Sequence, residues 1–289
     1  MKKRTIILFV TDKCNRRCSY CRVHKGTNVM TFGSAKKALD DYFAGGKTKD
    51  EISVKFFGGE PLLALPLIKK IVAYIGAVHP KQKVSYLLTT NGDLLTPAVA
   101  IFLAQNNVAV TLSVDLEKKH YSGGRVDFDR RMLSALKMIP PRNITATIVV
   151  LPRKAGFVDS AFVQLFAMGF RSFHILPVYY TMMWDEKQLV ALRNGIFRVI
   201  ALAHMFSLEG QKVLLRGFQN KDRSDSPLFN KDHFVDVKGV VNQGDDWAMM
   251  PAGAETKALL LSGKYSDNYL KVQRVMDEGT AFKNQLEGK

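Results

Sequence analysis

A short apolar run followed by a helical pattern recurs six times between residues 5 and 208. The runs Thr5–Val10, Ile52–Phe57, Val84–Thr89, Val108–Val114, Ile144–Leu151 and residues 171–178 read as strands. Between and after them lie helical patterns. Ala35, Ala38, Leu39, Tyr42 and Phe43 form one stripe, and Leu67, Ile68, Ile71, Val72 and Ile75 form the next. Pro97 sits where a first helical turn tolerates proline. Phe128 to Met138, residues 158–168 and Glu186–Leu208 complete the set. Such alternation calls for a parallel sheet with helices outside it, an α/β fold. A closed eightfold barrel takes about 250 residues of alternation. Here the pattern fades near residue 210, so residues 1–210 are expected to form a partial (β/α)6 TIM-like barrel. An open doubly wound sheet has the same periodicity and remains the alternative. Residues 211–289 differ. Residues 220–232 are polar and turn-rich, residues 239–253 are irregular, and Thr256–Leu261 reads as a short strand. A small C-terminal extension, packed on the open side of the sheet, is expected there.

The chain has 289 residues, enough for one sizeable core. It contains no run of about 18 uncharged apolar residues. Its basic start, Met1-Lys2-Lys3-Arg4, leads into an apolar run that stops at Asp12 and Lys13 with no small-residue cleavage site. A buried first strand and a cytoplasmic location are therefore expected, with no membrane span. The net charge is +16, and residues 1–50 hold twelve Lys or Arg against four Asp or Glu. No zinc-finger, RRM or KH signature accompanies that charge, so nucleic acid is not the expected partner. An anionic substrate or an acidic protein would be drawn by the same field.

The chain's only three cysteines, Cys14, Cys18 and Cys21, lie directly after the first predicted strand. An odd number cannot form a fully paired intrachain disulfide framework. Three soft thiolates at this spacing suit an iron–sulfur cluster or zinc. A structural zinc would want a fourth protein ligand, which His24 could supply. Further candidates follow the next strands: Gly58-Gly59-Glu60-Pro61 after the second, Asn91 after the third, and Ser113 and Asp115 at the end of the fourth. In parallel α/β folds, ligands bind at the carboxyl ends of strands. Glycines let backbone approach a ligand closely, and a carboxylate accepts hydrogen bonds from an ammonium. Taken singly, Gly58-Gly59 could be an ordinary turn and Asp115 a helix cap.

The loop Cys14-Asn15-Arg16-Arg17-Cys18-Ser19-Tyr20-Cys21 is a C-x3-C-x2-C motif with an aromatic residue before the last cysteine. With Gly-Gly-Glu-Pro after the second strand, the chain resembles the radical S-adenosylmethionine (SAM) enzymes over roughly residues 5–210. The resemblance implies that Cys14, Cys18 and Cys21 hold three irons of one [4Fe–4S] cluster. SAM would chelate the open fourth iron through its amino and carboxylate groups. Gly58, Gly59 and Glu60 would meet the SAM amino group, with Ser113, Asp115 and Asn91 near its ribose or carboxylate. Backbone near Leu176-Pro177 would lie against adenine. One electron into the cluster would cleave SAM to methionine and a 5′-deoxyadenosyl radical, which abstracts hydrogen from a substrate.

Phe57-Gly58-Gly59-Glu60-Pro61-Leu62-Leu63, Thr90-Asn91-Gly92 and Leu112-Ser113-Val114-Asp115 look like the members that modify peptides and proteins. Those include anaerobic sulfatase-maturating enzymes and maturases of ribosomally made peptides. Most of them carry further cysteines for auxiliary clusters in a SPASM or twitch domain. No cysteine follows Cys21 here, so auxiliary clusters are not expected. Met249-Met250-Pro251-Ala252-Gly253 followed by Leu259–Leu261 faintly resembles such an extension with its cysteines replaced. Chemistry that needs an auxiliary cluster is disfavoured, whereas epimerisation or rearrangement is less affected. The expected substrate is a peptide or protein residue. The alternatives are a small molecule such as a sugar, nucleoside or amino acid, and a protein that binds SAM and cluster without turnover. Tyr86, His174, Tyr179 and Tyr180 are weak catalytic candidates, equally readable as half-buried packing. Arg216 and Arg125 could hold a carboxylate or phosphate. Arg16, Arg17 and Arg22 would face an acidic flavodoxin- or ferredoxin-type electron donor, or an anionic substrate.

Overall fold

A computed structural model describes residues 3–21, 23–46, 50–116, 121–122, 124–179, 181–218, 233–243 and 264–288. In chain order the elements begin with β1 (Lys3–Thr11), α1 (Phe32–Ala44), β2 (Glu51–Gly58), α2 (Leu65–Val78), β3 (Val84–Thr90), α3 (Pro97–Gln105) and β4 (Val108–Asp115). They continue with β5 (Tyr121–Ser122), β6 (Arg125–Val126), α4 (Arg130–Leu136), β7 (Ile144–Val150), α5 (Val158–Ala167), β8 (Ser172–Pro177), α6 (Glu186–Leu208) and β9 (Leu214–Arg216). The last are β10 (His233–Val235), β11 (Val241–Gln243) and α7 (Lys264–Leu286). The six expected strands and their helices form close to the expected bounds. Local chemistry sets the starts: Thr31 caps α1 through Ser34 N–H, Thr96 and Pro97 open α3, and Asp185 with Gln188 makes a capping box on α6.

The chain divides into two compact units and crosses from one to the other within β4. In the first, the strand order is β11-β10-β1-β2-β3. β1, β2 and β3 run parallel, β10 adds parallel to β1, and β11 turns back antiparallel. Ile52, Val54 and Phe56 of β2 are fully buried on one face. On the other, Phe9 and Phe57 pack with Ile7, Phe234 and Cys21. The first strand's far face is thus joined directly to the cysteine loop.

In the second unit, β7, β8 and β9 run parallel. Phe173 packs on Phe162 of α5 on the helix side, and His174 lies on the opposite face, in register with Thr147 and Arg216. Between β4 and α4 lies the short antiparallel β5–β6 hairpin.

The described residues beyond 210 add to elements already present. β9 extends the β8 edge, β10 extends the β1 edge, and α7 packs on α6 through Phe282 on Phe197 and Glu278 on Arg193. Short strands reach their energy minimum by completing an existing sheet edge rather than by standing alone. The expected strand Thr256–Leu261 and the 249–253 segment lie outside the described residues.

Two segments, Pro61–Val78 and Glu186–Leu208, are long and apolar enough to cross a membrane. Each carries a one-sided buried stripe, Leu67 to Ile75 in α2 and Leu189 to Ala203 in α6, the pattern of a core helix.

Asn268 of α7 is 1% exposed and ties down the loop after β8. Its Nδ2 donates to the carbonyls of Tyr179 (2.9 Å) and Met182 (3.0 Å), and its Oδ1 accepts from Trp184 N–H (3.0 Å). Asn268→Ala orphans three buried backbone groups and is expected to cost about 3–5 kcal/mol. Chemical denaturation should read that loss, and Asn268→Asp, which keeps the acceptor but not the donors, should not restore it.

Candidate active site

The cysteine loop joins β1 to α1 and is tied at its base. Met30 N–H donates to the Val10 carbonyl (2.9 Å), and Thr11 Oγ1 donates to the Asn28 carbonyl (2.6 Å). The buried Asp12 carboxylate accepts from both the backbone N–H and the side-chain amide of Asn28, each at 2.7 Å. Gly26 must be glycine here, because a Cβ would fall 2.4 Å from Asp12 Oδ2. Within the loop, Cys21 N–H donates to the Cys18 carbonyl (3.1 Å), and Arg16 N–H donates to Cys14 Sγ (3.4 Å). Lys25 Nζ donates to Cys21 Sγ at 3.1 Å. None of the three cysteines is in a disulfide, and all are half-buried.

A polar network fastens this loop to the turn after β3. Arg16 grips Asp93 with two bonds, Nε to Oδ2 at 2.9 Å and Nη2 to Oδ1 at 2.5 Å. Asn15 donates to Asp93 Oδ2 (3.2 Å) and accepts from Asn91 Nδ2 (2.9 Å). Asn91 Oδ1 in turn accepts from Asp93 N–H (3.0 Å). Arg16 is therefore not available to an electron donor as expected: the pair is about nine-tenths buried and its fork is spent on Asp93. Lys13 and Arg17 are exposed, and Arg22 lies outside the described residues. Asn91 works in this structure as an orienting group for Asn15.

The Gly58-Gly59 turn meets the loop base from β2. Gly59 N–H donates to the Thr11 carbonyl and Glu60 N–H to the Lys13 carbonyl, both at 2.8 Å. A Cβ would lie 2.2 Å from the Thr11 oxygen at position 58, where φ is +155°, and 2.2 Å from the Lys13 oxygen at position 59. The close backbone approach that glycine permits is thus an approach of two chain segments to each other.

Glu60 is fully buried. Its Oε1 accepts from Leu62 N–H (3.0 Å) and Thr90 Oγ1 (2.8 Å), and its Oε2 accepts from Asn91 N–H (2.9 Å). Burial pushes its carboxyl above the usual carboxylate range, and these three hydrogen bonds pull it back. Both carboxylate oxygens already accept hydrogen bonds from the protein, two on Oε1 and one on Oε2. Backbone around Gly58–Glu60 is what the turn presents. In one unit, then, Cys14, Cys18, Cys21, Gly58, Gly59, Glu60 and Asn91 are stitched together. Asp12, Asn15, Lys25, Asn28 and Asp93 belong to the same construction, although no spacing motif singled them out.

Tyr86, by contrast, shares the β3 face that pairs with Val54 and stacks on Phe56, away from Phe57 and Cys21. Burial raises its phenol to about 12. In the second unit, Ser113 is half-buried and Asp115 buried at the end of β4. His174 is half-buried on the face of β8 opposite Phe173. Tyr179 is buried against Tyr269 of α7, and Tyr180 lies outside the described residues. Arg216 Nε donates to Ser172 Oγ (3.0 Å) and Thr145 Oγ1 (3.2 Å), while Arg125 is exposed on β6.

The thiols can be tested against the groups they might hold. Zinc needs ligands converged on one point. Among the described residues no three His, Cys, Asp or Glu converge so, and His24 is exposed. An iron–sulfur cube spreads its thiolates over separate irons. Three half-open thiols on a loop braced from β1, β2 and β3 fit that group and leave one iron without a protein ligand.

The chain matches the radical SAM superfamily over residues 8–153, half of its length. An uncharacterized protein of Methanocaldococcus jannaschii is 34% identical over 111 residues, 38% of each chain. The radical SAM cyclopropyl synthase TigE of Paramaledivibacter caminithermalis is 26% identical over 160 residues, 48% of this chain and 33% of that one. A GTP 3′,8-cyclase of Mycobacterium ulcerans is 35% identical over 119 residues, 39% of this chain and 32% of that one. The chain thus spans about a third of the length of the curated relatives it matches. Among solved structures, anSMEcpe with bound AdoMet and a peptide aligns over 94% of this chain and 84% of that one, with TM-score 0.68 and 19% identity. Streptococcus suis SuiB bound to S-adenosylmethionine aligns over 92% and 66%, with TM-score 0.57 and 13% identity. These likenesses show the α/β partial barrel that the strand–helix alternation calls for. Motif, fold and family match agree, and the chain belongs to the radical SAM superfamily.

Proposed function

We propose that this radical SAM enzyme acts on a residue of a peptide or protein. As a member of the family it works with a [4Fe–4S] cluster and SAM, which together supply reductive cleavage of SAM and hydrogen abstraction from a substrate. In this reading Cys14, Cys18 and Cys21 each hold an iron. The backbone of Gly58, Gly59 and Glu60 receives the SAM ammonium, and Asp93 and Asn91 keep the cysteine loop oriented through Arg16 and Asn15. Ser113 and Asp115 serve the ribose or carboxylate, with Asn91 as a more distant contributor. His174, on the face of β8 opposite Phe173, borders the substrate. Exposed Lys13 and Arg17 beside the loop suit an acidic flavodoxin- or ferredoxin-type donor. Free thiols suit a reducing, cytoplasmic setting. The tract after residue 210 supplies sheet edges and a helix rather than cysteines, which favours redox-neutral chemistry such as epimerisation. We read it as a cysteine-free counterpart of a SPASM or twitch extension.

The observation that carries the peptide reading is the Phe57–Leu63 segment together with Thr90–Gly92 and Leu112–Asp115. The peptide-bound anSMEcpe structure and SuiB with its precursor peptide SuiA, TM-score 0.56, support it. A small-molecule substrate is the second reading, favoured by the identity shared with GTP 3′,8-cyclases. The test is anaerobic incubation with reductant, SAM and, in separate arms, short peptides encoded beside the gene, and nucleosides, sugars and amino acids. Mass spectrometry follows 5′-deoxyadenosine and any change in the added compound. A modified peptide supports the first reading, and turnover only in a small-molecule arm overturns it. No 5′-deoxyadenosine in any arm favours a protein that binds without turnover.

A further inference from the structure

The Lys25 ammonium is 3.1 Å from Cys21 Sγ. The backbone beside it is held by its neighbours. Gly26 N–H donates to the Asp12 carbonyl (3.2 Å), Gly26 lies flat against the Asp12 carboxylate, and Asn28 is bound twice to that same carboxylate. The backbone of residue 25 is therefore held at the loop base, within reach of the thiol. Lys25 is half-buried, with less water than an exposed lysine to screen its charge. Among the described residues, the other cations between Lys13 and Arg17 are differently placed. Arg16 is neutralised by Asp93, and Lys13 and Arg17 are exposed. The one carboxylate at the loop base, Asp12, has its oxygens on Asn28.

Hydrogen bonds to sulfur and the local net charge are principal determinants of an iron–sulfur potential. A single electron added to a centre bearing three thiolates increases its negative charge, and a cation on one thiolate favours that reduced state. We infer that Lys25 is a positioning residue that raises the reduction potential of the cluster by holding its ammonium on Cys21. This rests on the proposed role of Cys21 as an iron ligand. The step it assists is transfer of one electron from an external reductant to the cluster, with no bond broken and no proton moved.

The test is an EPR-monitored redox titration of anaerobically reconstituted full-length protein, with dithionite as reductant. Lys25→Met should lower the reduction equilibrium about tenfold, a midpoint about 59 mV more negative. Lys25→Arg, which keeps charge and donor, should stay near wild type, and Lys25→Gln should fall between. A Lys25→Met midpoint equal to wild type at equal iron content overturns the inference. Should Lys25→Met hold no cluster, Lys25→Gln decides in its place by the same criterion. Absence of any cluster in the wild type overturns the cluster reading along with this one. A wild-type cluster indifferent to Lys25 overturns this one alone.

Discussion

Cys18→Ala protein, reconstituted anaerobically, is expected to hold less than about one iron per chain where the wild type holds about four. Reductant-dependent formation of 5′-deoxyadenosine should fall to background with it. The fold should survive, because the loop is attached at both its base and its far side by other residues. The base is held by Thr11, Asp12, Asn28 and Met30, and the far side by Arg16 on Asp93. Circular dichroism and the unfolding midpoint should therefore stay close to wild type while iron is lost. Wild-type iron content in the variant would remove Cys18 from the ligand set. A loss of fold together with iron would mean that the cluster itself organises the loop.

The alternation of strands and helices was legible because each strand is bounded by a turn and each early helix has an apolar stripe. The cysteine spacing was equally plain. What stayed hidden is where stripe residues are not apolar, or where partners are distant. Along α7 the buried positions are Asn268, Val272, Val275 and Gly279. Their spacing is helical, yet half of them are polar or side-chain-free, so hydropathy does not reveal the helix. Gly279 is there because a Cβ would press into Ile196 and Phe218 at 2.8 Å, a constraint set by residues far away in sequence. Arg16 and Asp93 are 77 positions apart, and neither has a local signature beyond a charged residue in a loop. β9 and β10 are three residues each, too short for a period to register. Glu60 has a structural role that its place in the sequence does not reveal. Sequence shows a carboxylate after two glycines, and only the fold shows three donors already facing it.

That difference can be measured. Glu60→Ala would leave Leu62 N–H, Asn91 N–H and Thr90 Oγ1 without their acceptor in a fully buried place. At about 1–3 kcal/mol for each of the three orphaned donors, and about 2–4 °C per kcal/mol, the unfolding midpoint should fall by at least roughly 6 °C, and by about 18 °C at the centre of these ranges. The turn after β2 and the turn after β3 would part, and with them two of the three braces on the cysteine loop. Weak SAM binding by Glu60→Ala would then say little about a direct contact. Glu60→Gln separates the two roles. Its amide oxygen still serves Leu62 and Thr90, while its NH2 faces Asn91 N–H, so stability should fall by about 1–3 kcal/mol. If the ammonium of SAM is met by backbone, affinity measured by calorimetry on the reconstituted protein should stay within about threefold of wild type. If the carboxylate is the acceptor, losing a charge-assisted bond worth about 1.5–3 kcal/mol weakens binding by roughly 10-fold or more. The second result would return Glu60 to the cofactor; the first, which the geometry favours, leaves it as the clamp that holds two turns against the cysteine loop.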